Sequence, residues 1–390
     1  MRPLGDRIPA KKVRFLTNIP TPYRNYQFNH IALTAKTRVT IDFEVWFTGE
    51  AEPPRVLQMP GEGTRYRYQF LQPPSRWSWP LRGLATISRL VTLLKRDKPD
   101  IVIVGGYFNV TLQVACLLTR VPVPFRAVLY CENHRPFRGS PVLKVARRFL
   151  TAGFRTFIVP GSLQENYVRQ LVGGKAPLKF HRMPNVVAED VFRKAVEVAK
   201  AARSRIRQEL SLPESCRVFL SVMRLEPVKG CDLLVEAAAG LPDHCRVLIA
   251  GDGSLRSALE RHHCVLSGKV RLLGHLPQER IVPVLAASDA FVLPSRNDAY
   301  PLAVIEALCA GLPLIISDAV GCHREALEAD LNGYLFEAGS AASLTAALRR
   351  VAALDEGSLR RMGEASAALA RQRFSAQKIA EEFVEFLETL

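Results

Sequence analysis

Short runs rich in Val, Ile, Leu and Phe recur along the chain, separated by longer stretches whose apolar residues return every three to four positions. The first pattern is that of buried strands, the second that of helices with one covered face. In the first half it predicts strands near residues 13–17, 41–47, 101–104, 126–131, 156–159 and 179–183, with helices between them, for example over 84–96, 111–119 and 162–171. In the second half it predicts strands near 218–222, 246–250, 270–273, 290–293, 314–317 and 334–336. Strands alternating with helices make parallel sheets with crossover connections, so the expected class is α/β, as two Rossmann-like doubly wound domains facing across a cleft. Residues 188–212, rich in Lys, Arg, Glu and Ala, read as one amphipathic connecting helix. The expected domains are therefore 1–190 and 191–374. A closing helix over about 375–390, with Ile379, Phe383, Phe386 and Leu387 on one side, is expected to pack back on the first.

Length and composition agree with this division. At roughly 150 residues per domain, 390 residues make two to three domains. With 48% hydrophobic and 23% charged residues, the chain is neither disordered, collagen-like nor a coiled coil. Its apolar runs are broken by Gly, Pro or charge before the roughly 18–20 residues of a spanning helix, so any membrane attachment is expected to be peripheral. The leading residues, MRPLGDRIPAKK, hold no apolar core and suggest no secretory signal. None of the eight cysteines forms a Cys-x-x-Cys pair, and Cys116 and Cys309 sit in apolar runs, as buried free thiols do. A reducing, cytoplasmic setting is expected, with docking on the inner face of a membrane.

Charge divides the chain unevenly. Residues 1–200 hold 32 Lys and Arg against 13 Asp and Glu, a net +19, whereas the remainder holds 21 against 24, a net −3. An excess confined to one half suggests that this half faces something anionic: a lipid headgroup surface, a lipid diphosphate or nucleic acid. A merely solvated basic face is the plainer reading. Arg65-Tyr66-Arg67-Tyr68 and Arg76-Trp77-Ser78-Trp79 are candidate docking stretches.

Two segments of the second half carry candidate chemistry. The strand ending at Val222 is followed by Met223-Arg224-Leu225-Glu226-Pro227-Val228-Lys229-Gly230 and then a helix. Two cations on a loop that opens a helix suit a diphosphate, because the helix N-terminus already favours an anion; a surface loop with two solvated cations is the alternative. The second segment runs from Pro294 through Asp298, Ala299, Tyr300 and Pro301 into a helix beginning at Leu302, apolar almost all round, in which Glu306 is the one charge. A buried carboxylate is costly unless it accepts hydrogen bonds. Hydroxyls of a sugar or ribose supply such bonds, and so do neighbouring backbone N–H groups.

These segments resemble the family-4 retaining glycosyltransferases of the GT-B fold. Arg224-Leu225-x-x-x-Lys229-Gly230 looks like that family's phosphate motif, and Asp298 and Glu306 keep its paired-glutamate spacing of seven intervening residues. Ala250-Gly251-Asp252-Gly253, Leu273-Gly274-His275-Leu276, Gly321…Glu325 and Asn332-Gly333 follow in the expected order over about 120 residues. The resemblance implies that Arg224 and Lys229 hold the donor diphosphate, that Glu306 binds ribose hydroxyls, and that Asp298 binds the transferred sugar. Backbone groups from Ala299 to Leu302 would lie near sugar and phosphate, with Gly253 and Leu276 near the base. The family usually has Glu where this chain has Asp298, which shortens the reach by about 1.5 Å.

In the first half, Thr17-Asn18-Ile19-Pro20-Thr21-Pro22-Tyr23-Arg24-Asn25 reads as a stiff Pro-rich turn, not a glycine-rich phosphate cradle. Its Thr-Pro-Tyr-Arg run resembles a subset of bacterial members, and Arg24 would reach phosphate or an anionic acceptor. After the strand over 126–131 come Glu132, Asn133 and His134, where the family often keeps a His facing the donor; Glu132 is the rival. Gly105-Gly106-Tyr107 is a candidate border of the acceptor site, and His262-His263 lacks metal-ligand spacing. The implied activity is transfer of a sugar from a nucleotide-sugar to a lipid-linked saccharide or cell-envelope glycan with retained configuration. The nucleotide-sugar is then a substrate, no cofactor or metal is expected, and the partners are that donor, the acceptor and an anionic membrane surface, not nucleic acid. An epimerase or phosphorylase of the same fold and a basic nucleic-acid-binding protein are the competing readings.

Overall fold

The computed structural model describes residues 9–49, 60, 61, 63–72, 79–135, 140–173, 177–213 and 215–390, with the backbone alone at 79–82. The chain divides into two units, Met1–Asn185 with Ala376–Leu390, and Val186–Ser375. The first contains β1 (Lys11–Thr17), α1 (Pro22–Arg38), β2 (Ile41–Phe47), β3 (Arg67–Phe70), α2 (Trp79–Asp97), β4 (Ile101–Val104), α3 (Val110–Leu118), β5 (Arg126–Tyr130), α4 (Pro141–Thr151), β6 (Thr156–Val159), α5 (Ser162–Val172) and β7 (Lys179–Arg182). The second contains α6 (Glu189–Ala201), α7 (Arg203–Glu209), β8 (Arg217–Val222), α8 (Cys231–Ala238), β9 (Cys245–Ala250), α9 (Arg256–Glu260), α10 (His263–Leu266), β10 (Val270–Gly274), α11 (Gln278–Ala287), β11 (Ala290–Leu293), α12 (Leu302–Cys309), β12 (Leu314–Ser317), α13 (His323–Ala326), β13 (Gly333–Phe336), α14 (Ala341–Ala352) and α15 (Glu356–Arg373). The last helix, α16 (Ala376–Glu388), returns to the first unit.

Both sheets are parallel throughout, and their central strands are continuous apolar runs because both faces are covered by helices. β4, Ile-Val-Ile-Val, is buried at all four positions, as is β11, Ala-Phe-Val-Leu. The strand orders are β3-β2-β1-β4-β5-β6-β7 and β10-β9-β8-β11-β12-β13. Each order reverses once, between β1 and β4 in the first sheet and between β8 and β11 in the second. Loops leaving the carboxyl ends of the strands diverge at such a reversal and open a crevice there, which is where ligands of open parallel sheets bind.

Three details depart from the pattern-based reading. Residues 188–212 form two helices, because the chain breaks at Ala202. There Arg203 turns its guanidinium to the Ser288 carbonyl (2.9 Å) and Asp289 (2.5 Å), and Arg207 reaches Asp289 at 2.9 Å. Pro22 opens α1 instead of extending a turn, so Arg24 lies in a helix's first turn. Arg65-Tyr66-Arg67-Tyr68 leads into the edge strand β3, and its rings pack inward: Tyr66 is 4% exposed, donates to Asn25 Oδ1 (2.6 Å) and stacks edge-on with Phe28. Tyr66 is therefore core, not part of a docking face. Arg76-Trp77-Ser78-Trp79 lies outside the described residues, apart from the Trp79 backbone.

Helix α16 lies on α1, with Arg38 paired to Glu385 (2.6 Å) and Lys11 Nζ donating to the Glu388 carbonyl (2.6 Å). With α16 included, the first unit holds 30 Lys and Arg against 14 Asp and Glu, and the second 23 against 23. The entire net charge of +16 thus belongs to the first unit. All eight cysteines are free and buried. Among the described residues, no helix is long and apolar enough to cross a membrane.

Candidate functional site

In the second unit, two loops leave the sheet where its order reverses. The loop after β8 makes a single turn over Pro227–Lys229 and ends at Gly230, whose backbone is left-handed (φ 70°). A Cβ there would lie 2.2 Å from the Pro294 carbonyl oxygen, so only glycine lets this loop approach the end of β11 so closely. Gly251 (φ 144°) has the same role on the other side, since its Cβ would stand 1.8 Å from the Met223 carbonyl. Leu225 N donates to the Asp252 carbonyl (2.9 Å), and Glu226 accepts from the Ser254 hydroxyl (2.7 Å), which fastens the Gly251-Asp252-Gly253 turn to the same loop.

The second loop is stitched to the first by Arg296. Its guanidinium holds both oxygens of Asp232 (2.7 and 2.8 Å) and the Pro227 carbonyl (2.7 Å), and its N–H donates to the Val228 carbonyl (2.8 Å). Sequence reading passed over Arg296; the signal available to it was a third cation within the segment that runs into α12. Lys229 Nζ meets Asp298 Oδ2 at 2.5 Å, with the two side chains only 18% and 14% exposed. Asp298 is itself held by its backbone, its N–H donating to the Ala319 carbonyl (3.2 Å) and its carbonyl accepting from Gly321 N (2.8 Å). The lysine and the carboxylate are thus one ion pair that bridges the two loops. Arg224, on the same loop as Lys229, is exposed, and its guanidinium makes no hydrogen bond or ion pair among the described residues, although its carbonyl accepts from Glu226 N (2.9 Å).

Ala299, Tyr300 and Pro301 carry the chain from Asp298 to α12, with Tyr300 buried and Pro301 at the N-cap. Along α12, Leu302, Ala303 and Glu306 are half-buried and every other residue is buried, so one narrow face of the helix remains accessible. The Glu306 carboxylate lies on that face, one turn below Leu302. It has no hydrogen bond or ion pair among the described residues, and burial pushes its pKa up to about 7. The neighbouring backbone N–H groups do not satisfy it. Leu276 is half-buried against the core beside β10, and Gly253 opens the turn that precedes α9.

The first unit holds a cavity of about 620 Å³ at its own reversal point, lined by the loops after β1, β4 and β5 and by α4. Arg24 and Glu132 meet there: Arg24 Nη2 donates to Glu132 Oε1 at 2.8 Å. The same oxygen accepts from the Tyr130 hydroxyl (3.0 Å) and Asn185 Nδ2 (3.1 Å), leaving no hydrogen bond on Oε2 among the described residues. Burial works against the charge on Arg24, but Tyr130, Tyr23 and Glu132 outweigh it and hold its pKa above the ordinary value. Gly105, Gly106 and Tyr107 line the cavity, and Asn133 Nδ2 donates to the Tyr107 hydroxyl (2.9 Å). His134 is half-buried and is not among the lining residues, whereas Glu132 is. Arg147 of α4 also lines the cavity; only the fold brings it there, from a helix more than a hundred residues beyond β1.

One further cluster stands apart. The side-chain donors of His262, His263 and Cys264 lie within 4.8 Å of one another, the one such group of three among the described residues. They bond to each other: Cys264 N donates to His262 Nδ1 (3.2 Å), and Cys264 Sγ lies 3.2 Å from His263 Nε2. Burial raises the Cys264 thiol pKa, which keeps the proton on sulfur.

Comparison with known proteins places these features in context. A family profile described as glycosyl transferases group 1 matches residues 202–368, all within the second unit. An Escherichia coli UDP-Gal:alpha-D-GlcNAc-diphosphoundecaprenol alpha-1,3-galactosyltransferase is 32% identical over 287 residues, covering 70% of this chain and 71% of that protein. The D-inositol 3-phosphate glycosyltransferase of Xylanimonas cellulosilytica is 30% identical over 165 residues, 41% of this chain; the match spans only 39% of that relative's length. Among solved structures, Anabaena Alr3699/HepE in complex with UDP and glucose superposes with a TM-score of 0.71 at 19% identity, over 97% of this chain and 100% of that one. The fold is GT-B, built of two Rossmann-like α/β units.

Proposed function

The chain belongs to the group 1 glycosyl transferases, and from that premise we propose that it moves a sugar from a nucleotide-sugar donor to a lipid-linked saccharide or cell-envelope glycan, retaining the anomeric configuration. The second unit binds the donor and the first the acceptor. The observation that carries this reading is the Lys229–Asp298 pair at the sheet reversal, on the same loop as Arg224 and followed by the unpartnered carboxylate of Glu306.

Each residue then has a role that its surroundings support. Arg224, exposed and unpaired, and Lys229, held in place by Asp298, bind the diphosphate and neutralise the charge that develops as the sugar leaves. A lysine on a flexible stem loses precision unless something orients it, and Asp298 supplies that orientation while presenting its other oxygen to the sugar's hydroxyls. Glu306 accepts from the ribose hydroxyls, which lowers its pKa as they bind, because hydrogen bonds to a carboxylate favour its charged form. The α12 N-terminus, which begins at Leu302 after Ala299, Tyr300 and Pro301, offers backbone N–H groups to the phosphate. In the first unit Arg24 orients Glu132, whose free oxygen binds an acceptor hydroxyl. The departing diphosphate oxygen takes that hydroxyl's proton, so attack occurs on the face from which the diphosphate leaves. No protein nucleophile is required, and the two carboxylates of the donor site are binders, unlike the acid and nucleophile of a glycosidase.

A uridine diphosphate sugar is the first donor to test, given the UDP bound by HepE and the UDP-Gal named for the Escherichia coli relative. Melting temperatures measured with UDP-, GDP- and ADP-sugars identify the nucleotide. Product analysis with a lipid-linked saccharide then separates transfer from epimerisation or phosphorolysis. Loss of the nucleotide-induced shift in Glu306→Gln supports the reading, and full retention of transfer in both Glu306→Gln and Lys229→Ala overturns it.

A further inference from the structure

We infer that helix α4 is the part of the molecule that enters an anionic lipid surface, bringing the mouth of the first unit's cavity to the bilayer. The inference rests on the lipid-linked acceptor proposed above and names the element that reaches it.

The helix reads Pro-Val-Leu-Lys-Val-Ala-Arg-Arg-Phe-Leu-Thr, opened by Ser140, whose hydroxyl accepts from Val142 N. At 3.6 residues per turn, Val145, Phe149, Val142, Ala146, Leu150 and Leu143 form one continuous apolar arc, and Arg147, Thr151, Lys144 and Arg148 form the other. A helix on the surface of a folded unit ordinarily turns its apolar arc inward. Here only Thr151 is buried, while Val142 is 74%, Val145 67%, Leu143 52% and Phe149 52% exposed. One edge of the arc, Leu143, Ala146 and Leu150, lines the cavity, so a single helix is wall on one side and open apolar ridge on the other.

The surroundings say what covers the ridge. Arg120 lies over the Phe149 ring (4.1 Å) and donates to its carbonyl (3.0 Å), which fixes a cation at the ridge's end, and Lys144 and Arg148 flank its length. An exposed apolar ridge bordered by cations is the make-up of helices that lie in the headgroup region of an anionic bilayer. The whole +16 belongs to this unit. A second copy placed on the ridge would bring that charge against itself, so self-association is opposed where lipid docking is favoured. Val191 and Val198 on α6 are as exposed, at 68% and 75%, but their helix balances Glu189, Asp190 and Glu197 against Arg193, Lys194 and Lys200, in a unit of zero net charge.

The test is co-sedimentation of the whole protein with vesicles of equal parts phosphatidylcholine and phosphatidylglycerol, compared with phosphatidylcholine alone. The expected result is binding to the anionic vesicles, reduced on the order of tenfold or more in a Val142→Ser/Val145→Ser/Phe149→Ser variant and unchanged in a Val191→Ser/Val198→Ser control. In Val145→Trp, brominated lipid should quench the new fluorophore. Wild-type binding in the triple serine variant, absence of vesicle binding by the wild type, or a dimer in ultracentrifugation that the triple variant dissociates would each overturn the inference. The melting shift caused by UDP-glucose is measured on the same samples. If it persists while vesicle binding is absent, the docking helix falls and the transferase reading stands; if it is absent while vesicle binding follows α4, the reverse holds.

Discussion

The two units share a parallel sheet with one reversal, yet they differ in charge and in how their sites are assembled. The second unit is electrically balanced and draws its candidate site from two loops and the helix that follows them, Arg224–Gly230 and Asp298–Glu306. The other unit carries the whole +16, and its cavity is assembled from three loops and α4, spread over more than a hundred residues. The family profile falls wholly within the first of these two descriptions. On the proposed reading, a diphosphate sugar is a small, constant object that a compact set of residues can hold, whereas the first unit would meet a larger and more variable partner, where a net field acts on a surface and not on one bond.

That contrast can be broken most severely at Lys229. Lys229→Ala should lower donor turnover, followed as nucleotide release, by about 10³-fold with the fold retained, because a cation at a developing negative charge acts mainly in the transition state. Glu132→Gln should reduce kcat/KM for the acceptor on the order of a hundredfold while leaving nucleotide-sugar affinity unchanged, since a charged hydrogen bond of about 1.5–3 kcal/mol is lost in the other unit only. If donor affinity fell equally, the division of labour between the units would be wrong.

Glu306 sharpens the comparison through pH. Its folded pKa of about 7 stands above the ordinary carboxyl value of 4.5, so the folded state binds the proton more tightly than the unfolded one. Its contribution to stability is therefore fully present below about pH 4.5 and lost as pH rises through 7. Glu306→Gln should accordingly be more stable than wild type by about 3 kcal/mol at pH 8, with no difference near pH 4, in denaturant titrations. Nucleotide-sugar affinity should rise roughly tenfold with pH across the same range in the wild type and stay flat in the variant. The smallest effect is expected at Arg296: Arg296→Ala loosens the loop that carries Asp298 and should raise the donor KM a few-fold, to about fivefold, with kcat nearly intact.

Much of this was legible before any coordinates. Strand positions follow from apolar runs, and Arg224, Lys229, Asp298 and Glu306 stand out as charges on two continuous segments, to which the family resemblance gives their proposed roles. β3 was missed, since Arg67-Tyr68-Gln69-Phe70 alternates too briefly to stand out from a basic loop. The break at Ala202 was missed because it is imposed by Asp289, more than eighty residues away. Arg65–Tyr68 reads as a docking stretch from composition, which does not tell which way a ring points, and Tyr66 points inward; the exposed ridge of α4 escapes the sequence for the same reason.

What the amino-acid order determined alone was the class of fold, the reversal-point loops of the second unit and the sign of the charge on each half, all of which depend on neighbours along the chain. What only tertiary structure decided was that Lys229 and Asp298 are one pair, that Glu306 is left without a partner, that Glu132 and not His134 lines the cavity, and that α4 exposes its apolar arc. Those outcomes depend on which side chains meet after distant strands pair, and on how much water the packing excludes around each charge.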